Sequence, residues 1–247
     1  MSEAIRCDNL TIGYGTHVVQ SALTFSLCEG EMVCMLGPNG CGKSTLLRTL
    51  AGLQPPLCGT YSLLGVSSEK AGESSAERAK HLALVLTERL SLEHTTVHDV
   101  VAMGRYPYSS FLGGLSADDE AVIADALQQV GLQDMADTYF NNHSDGEKQR
   151  ILIAKALAQQ TPVILLDEPT AHLDLPNRIR TLQLLRHLAH EQGKTILIST
   201  HELDLALQLS DRILLMSDGG IQLDTAQALR SRNAFTDAFQ MDIFHPL

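Results

Sequence analysis

Apolar positions fall into two patterns along the chain. The segments 32–36, 163–166 and 195–199 are short and almost continuously apolar, whereas 213–216 is a fourth aliphatic run. Uninterrupted runs of that length predict strands covered on both faces, as in a parallel sheet. Other stretches repeat at helical spacing. After Ser44 the apolar residues are Leu46, Leu47, Leu50 and Leu53; after Pro176 they are Ile179, Leu182, Leu185 and Leu188 or Ala189, with Gly193 just beyond. The first stretch reads as strand, glycine loop and helix. The second joins the strands at 163–166 and 195–199 as a βαβ crossover, expected to be right-handed.

The middle of the chain lacks strand signals. Ser116 to Asp119 reads as a helix start, Val122 or Ile123, Ala126, Leu127 and Val130 form a stripe, and Gly131 ends it. A further helix is expected over 151–158, after the polar cluster at 141–146. A mostly helical block over 88–159 thus interrupts an α/β core made of 1–87 and 160–247. Residues 67–75 predict a surface loop or a helix start.

Composition narrows the function. At 247 residues and 44% hydrophobic, the chain can bury one sizeable core, and no run approaches the ~18–20 apolar residues of a membrane span. Eighteen basic against 29 acidic residues give a net charge of −11, which opposes general nucleic-acid binding. Any phosphate must therefore be held locally. The five cysteines form no Cys-x-x-Cys pair, as expected of a reducing compartment, and residues 1–10 carry no secretory pattern.

One segment offers that local hold. Gly37, Pro38, Asn39, Gly40, Cys41, Gly42, Lys43 and Ser44 satisfy the phosphate-loop pattern between a strand and a helix, followed by Thr45. Its glycines let backbone N–H groups converge on phosphate oxygens, and the helix brings its positive dipole end. Lys43 is expected on the β- and γ-phosphates and Ser44 on Mg²⁺. Asp167 and Glu168 close a buried strand at the sheet edge where α/β proteins bind ligands. Asp167 is expected to hold Mg²⁺ through water, and Glu168 to polarise an attacking water. His201 follows the neighbouring strand to the same edge.

In this order the chain resembles the ATP-binding subunit of ABC transporters over essentially its whole length. The resemblance rests on the phosphate loop, Ser144-Asp145-Gly146-Glu147, the Asp167-Glu168-Pro169 strand end, His172-Leu173-Asp174 and His201. It implies a P-loop NTPase fold: a RecA-like, mostly parallel sheet, an antiparallel N-terminal β part and an inserted helical subdomain. It implies ATP and Mg²⁺ as cofactors, with Lys43, Glu168 and His201 catalytic, Tyr14 stacked on adenine, and a head-to-tail pair of copies around two ATP molecules. Ser144, Gly146 and Glu147 would then face the partner copy's nucleotide, Asp174, also in the nucleotide-binding set, would touch the opposite subunit, and His201 would sense the γ-phosphate.

Two positions depart from the family pattern. His143 and Asp145 replace the leucine and first glycine of the usual signature, and a carboxylate ~6 Å from a phosphate costs roughly 2–3 kcal/mol at an effective dielectric near 20. The family's glutamine position falls at Thr87, the third expected metal contact, with Glu88 beside it. Gly104-Arg105-Tyr106-Pro107 resembles importers of iron-siderophores, haem and vitamin B12. The implied partners are membrane permease subunits docking around 87–108 and, indirectly, a substrate-binding protein, at the cytoplasmic face of the inner membrane. Another ABC transport route, or a regulatory subunit with weak hydrolysis, is the alternative.

Overall fold

A computed structural model describes residues 2–68, 74–86, 92–108, 114–171 and 173–240. In chain order its elements are β1 (Glu3–Tyr14), β2 (His17–Cys28), β3 (Met32–Leu36), α1 (Lys43–Leu50), β4 (Cys58–Leu63), β5 (Val66–Ser67), α2 (Ser75–His81) and β6 (Leu82–Val85). Next come α3 (Val97–Ala102), a 3-10 turn (Met103–Tyr108), α4 (Ala117–Gln129), α5 (Asp145–Ala158) and β7 (Val163–Asp167). The chain continues through α6 (Leu175–Gln192), β8 (Thr195–Ser199), α7 (Leu203–Leu209), β9 (Arg212–Ser217), β10 (Gly220–Asp224), α8 (Ala226–Ser231) and α9 (Ala234–Phe239).

The continuous apolar runs become the interior of one sheet. Its strands lie in the order β10-β9-β3-β8-β7-β6, parallel except for β10, and every residue of β3, β7 and β8 is buried. Strands buried on both faces have no reason to alternate in polarity. A second, antiparallel sheet, β2-β1-β4-β5, covers one face. Its core, with Ile5, Leu10, Leu23 and Leu27, is continuous with Val33, Met35 and the buried leucines of α1. On the other face Cys34, Ile164, Ile196 and Ile198 join α6 and the helices α3, α4 and α5 in a second apolar cluster.

Helix ends differ from the sequence reading at two places. Helix α5 starts at Asp145 rather than at 151, because Ser144 and Glu147 form a reciprocal capping box that makes its polar first turn helical. Helix α1 ends at Leu50, where Gly52 turns the chain at φ 75°, so Leu53 leaves the stripe and is exposed. Ser74 caps α2 downstream of β5.

Within the helical stretch, Gly104 and Arg105 are structural. A Cβ at Gly104 would lie 2.3 Å from the Lys155 carbonyl oxygen, so only glycine lets the turn pack on α5. The buried Arg105 side chain donates from Nε to Asp119 Oδ1 (2.7 Å) and from Nη1 to Ala158 O (2.8 Å) and Gln160 Oε1 (2.9 Å), and its guanidinium lies 4.3 Å from the Tyr108 ring. One side chain thereby ties the 3-10 turn, α4 and the end of α5 together. The Ser116 hydroxyl and N–H, then Arg105, hold the Asp119 carboxyl down to about 2. A depressed carboxyl stabilises the fold above its ordinary range and loses that effect as pH falls toward its folded value. Arg105→Leu is therefore expected to lower the melting temperature by several degrees at neutral pH and to lose less than the parent on acidification. Calorimetry at two pH values checks both.

Candidate nucleotide site

The parallel topology gathers the chemistry at one sheet edge. β3, β8 and β7 are adjacent, so the phosphate loop after β3, His201 after β8 and Asp167-Glu168 at the end of β7 emerge side by side. Register fixes them closely: Asp167 pairs with Ser199, and the Thr200 N–H donates to Met35 O (3.1 Å).

The phosphate loop folds against the sheet because two glycines permit it. A Cβ at Gly37 would lie 2.3 Å from Met216 O, and Gly42 sits at φ 103° with Val19 2.8 Å from where its Cβ would be. Gly42 caps α1 without any side-chain hydrogen bond, whereas Ser74, Thr96, Ser116, Ser144, Asp174 and Thr225 cap their helices with side-chain oxygens. A cap without an acceptor leaves the first N–H groups of α1 for an anion. Lys43, also buried, donates from Nζ to Gly37 O (2.8 Å) and Pro38 O (3.1 Å), wrapping the loop around its own ammonium. Asn39 and Gly40 lie exposed at the tip, and Ser44 is half-buried just inside the helix. Cys41 is buried inside the loop, and burial raises its thiol, which leaves it a packing residue.

Three supporting residues gave no motif in the sequence. Buried Gln20 on β2 donates from Nε2 to Cys41 O (3.1 Å) and Ser217 O (2.8 Å), bracing the loop from below. Ser199 donates from Oγ to Asp167 Oδ1 (2.5 Å) and accepts from the Glu168 N–H (3.0 Å), so one hydroxyl orients both acidic residues. Arg178 on α6 pairs with Glu202, next to His201. The signal available was Gln20 and Ser199 as polar residues in apolar strands, which are buried only when hydrogen-bonded.

Asp167 is buried, whereas Glu168 is partly open and held at φ 46° by its N–H bonds to Ser199 O and Oγ. A glutamate in the left-handed region is strained, and the surrounding bonds hold it there. His201 Nε2 lies in direct polar contact with Glu168 Oε1. Adjacent strand ends bring these two residues, far apart in sequence, into one unit. The Asp167 carboxylate and the Ser44 hydroxyl suit a hard divalent cation that takes its remaining ligands from phosphates and water. Thr87 and Glu88 lie outside the described residues, as does His172.

Tyr14, at the end of β1 and half exposed, approaches the loop, with its hydroxyl 3.3 Å from Thr45 Oγ1. Ser144, Gly146 and Glu147 lie on the helical side and make no hydrogen bond to residues 37–45. Asp174 caps α6 by accepting from the Asn177 N–H (3.1 Å). Asp145 is exposed in the first turn of α5, where its charge favours the helix dipole. Exposure weakens its repulsion of an anion toward ~0.7 kcal/mol at ~6 Å in water-like surroundings.

Comparison with known proteins shows the family and the fold. The family model described as ABC transporter matches residues 21–171, more than half of the chain. The iron(3+)-hydroxamate import ATP-binding protein FhuC of Bacillus subtilis is 36% identical over 240 residues, covering 97% of this chain and 88% of that protein. Among solved structures, one described as an inward-facing metal-chelate type ABC transporter superposes with a TM-score of 0.83 at 30% identity, covering 96% of this chain and 89% of that chain. The bacterial cassette MJ0796, solved as a dimer and as a post-hydrolysis dimer with ADP and Pi, gives a TM-score of 0.79 at 27% identity, covering 90% and 98%.

Proposed function

This chain belongs to the ABC transporter family as an ATP-binding, ATP-hydrolysing subunit, and from that premise we propose that it powers import of a metal chelate, an iron-siderophore, haem or cobalamin. The observation that carries the ATPase part is the open N-terminus of α1 set beside the Glu168–His201 pair. The cargo class is supported by the names of the relatives, because transported compound and nucleotide site need not touch.

In this reading Lys43 and the first N–H groups of α1 bind the β- and γ-phosphates, and Tyr14 stacks on adenine. Lys43 leaves the Gly37 and Pro38 carbonyls when phosphate replaces them. Ser44 and Asp167 would hold Mg²⁺, with Thr87 the third position, and the ion would neutralise phosphate charge. Glu168 takes a proton from water while His201 keeps the carboxylate aimed and contacts the γ-phosphate. Ser144, Gly146, Glu147 and Asp174 meet the nucleotide of a second copy, so that two ATP molecules join the pair and hydrolysis releases it. Among the described residues no helix is long and apolar enough to cross a membrane. The chain acts from the cytoplasmic face through permease subunits docked around 87–108, and the exposed Tyr106 and Tyr108 suit such a contact.

The test is reconstitution with a metal-chelate permease in vesicles. Iron-hydroxamate or cobalamin uptake into vesicles that requires ATP on this chain's side supports the assignment. ATP hydrolysis without uptake of any metal chelate would overturn the cargo class. Asp145→Gly is expected to tighten ATP-driven pairing or raise turnover about threefold, since ~0.7 kcal/mol of repulsion is removed. Steady-state kinetics of the purified variant checks it.

A further inference from the structure

The signature departs from its family at two positions, and the structure wires one of them to the serine. Thr138 has a single hydroxyl proton, and its Oγ1 donates to Met135 O (2.6 Å). Toward His143 Nε2, 2.7 Å away, Thr138 can therefore only accept, so Nε2 carries the ring proton. The other nitrogen, Nδ1, lies 3.5 Å from Glu147 Oε2. That same oxygen accepts the Ser144 N–H (2.9 Å) and the Ser144 hydroxyl (2.8 Å). In neutral His143 the bare Nδ1 faces a carboxylate; in the imidazolium it becomes a donor to it.

Proton accounting then limits Ser144. Its hydroxyl has one proton, here donated to Glu147, while the oxygen accepts the Glu147 N–H (3.3 Å). A hydroxyl held this way cannot donate to a phosphate until Glu147 has another partner. The Glu147 carboxyl already lies below its ordinary range because the Ser144 N–H and hydroxyl bind it, with His143 adding to the effect.

We propose that His143 is a positioning residue: its imidazolium takes over Glu147 Oε2, frees the Ser144 hydroxyl to turn toward the partner copy's ATP, and offsets the carboxylates of Glu147 and Asp145 at that helix end. This rests on the reading of Ser144 as a contact to the second copy's nucleotide. The charged group facing His143 from α5 is Glu147, and Asp145 shares the same turn; Lys148 is directed at the Phe140 ring, 5.8 Å away. The segment before α5 faces it with the uncharged Thr138 hydroxyl, flanked in sequence by Asp137. Leucine, the family residue at this position, offers none of this chemistry.

The experiment measures ATP-driven dimerisation by sedimentation between about pH 6 and pH 8, the range in which histidine changes charge. Glu168→Gln serves as the common background to prevent turnover. With His143 present, pairing is expected to be roughly three- to tenfold tighter at the acid end than in the His143→Leu chain, whose own pH slope reports the remaining histidines and ATP itself. His143→Gln, which keeps a donor to Thr138 but no charge, is expected to match the leucine variant. Equal pH slopes for His143 and either variant would overturn the proposal. Ser144→Ala separates the underlying reading: if removing the hydroxyl leaves pairing unchanged at both ends of the range, it is the Ser144 contact that fails, whatever His143 does.

Discussion

Replacing Glu168 by glutamine is expected to lower steady-state ATP hydrolysis by roughly 10²- to 10⁴-fold, the usual weight of a positioned general base. Nucleotide affinity should stay within a few-fold of the parent. The amide keeps the side chain's size, and the backbone bonds that hold position 168 at φ 46° run from its N–H to Ser199, so the substitution leaves them intact. What is lost is the ability to take a proton and the carboxylate contact to His201. Single-turnover kinetics locate the defect. If Glu168 is the base, the chemical step slows while ATP binding by fluorescence is unchanged. A variant that hydrolyses at more than about a tenth of the parental rate would transfer the role to another group.

The second large effect is at Lys43. Lys43→Ala is expected to weaken ATP binding by ~30-fold to over 1000-fold, matching the ~2–5 kcal/mol lost when one partner of a buried, hydrogen-bonded charge pair is removed. Two consequences follow from the same bonds. The nucleotide loses its ammonium, and the Gly37 and Pro38 carbonyls lose the donor that closes the loop around it. Lys43→Arg is not a conservative rescue, since the larger planar group does not fit a buried site wrapped by two carbonyls. Isothermal titration with ATP and Mg²⁺ measures the loss, and a hydrolysis-independent readout keeps it apart from the Glu168 effect.

The fold was legible wherever burial and periodicity agreed. Continuous apolar runs located β3, β7 and β8, and Pro176 and Gly193 framed α6, because strands covered on both faces and capped helices leave local marks. The start of α5 was hidden because its first turn is polar, and only the capping box between Ser144 and Glu147 makes it helical. The phosphate loop was legible because its chemistry is contiguous. The Glu168–His201 pair was not, since 33 positions of chain separate residues that meet only through the β7–β8 register. Gln20 and Ser199 stayed silent for the same reason: each looks like a stray polar residue until the partner strand is placed. Arg105 read as part of a family-like motif, and its buried bonds give it a scaffold role within that motif.

The paired signature substitutions have a physical rationale together that neither has alone. Asp145 strengthens the start of α5 and weakens anion binding there, while His143 can supply a positive charge two residues away. Net charge of −11 sets the wider constraint. Polyphosphate can be held only where backbone N–H groups, Lys43 and Mg²⁺ act at short range against the surrounding field.

In the proposed mechanism ATP joins two copies of this chain through the site at the sheet edge, and hydrolysis at Glu168 parts them. Light scattering of the purified Glu168→Gln chain with Mg²⁺ and either ATP or ADP tests it directly. The account predicts twice the mass of the single chain with ATP, the single-chain mass with ADP, and loss of the ATP effect when Lys43→Ala is added. A chain that remains single with saturating ATP, or that pairs equally well with ADP, would contradict it.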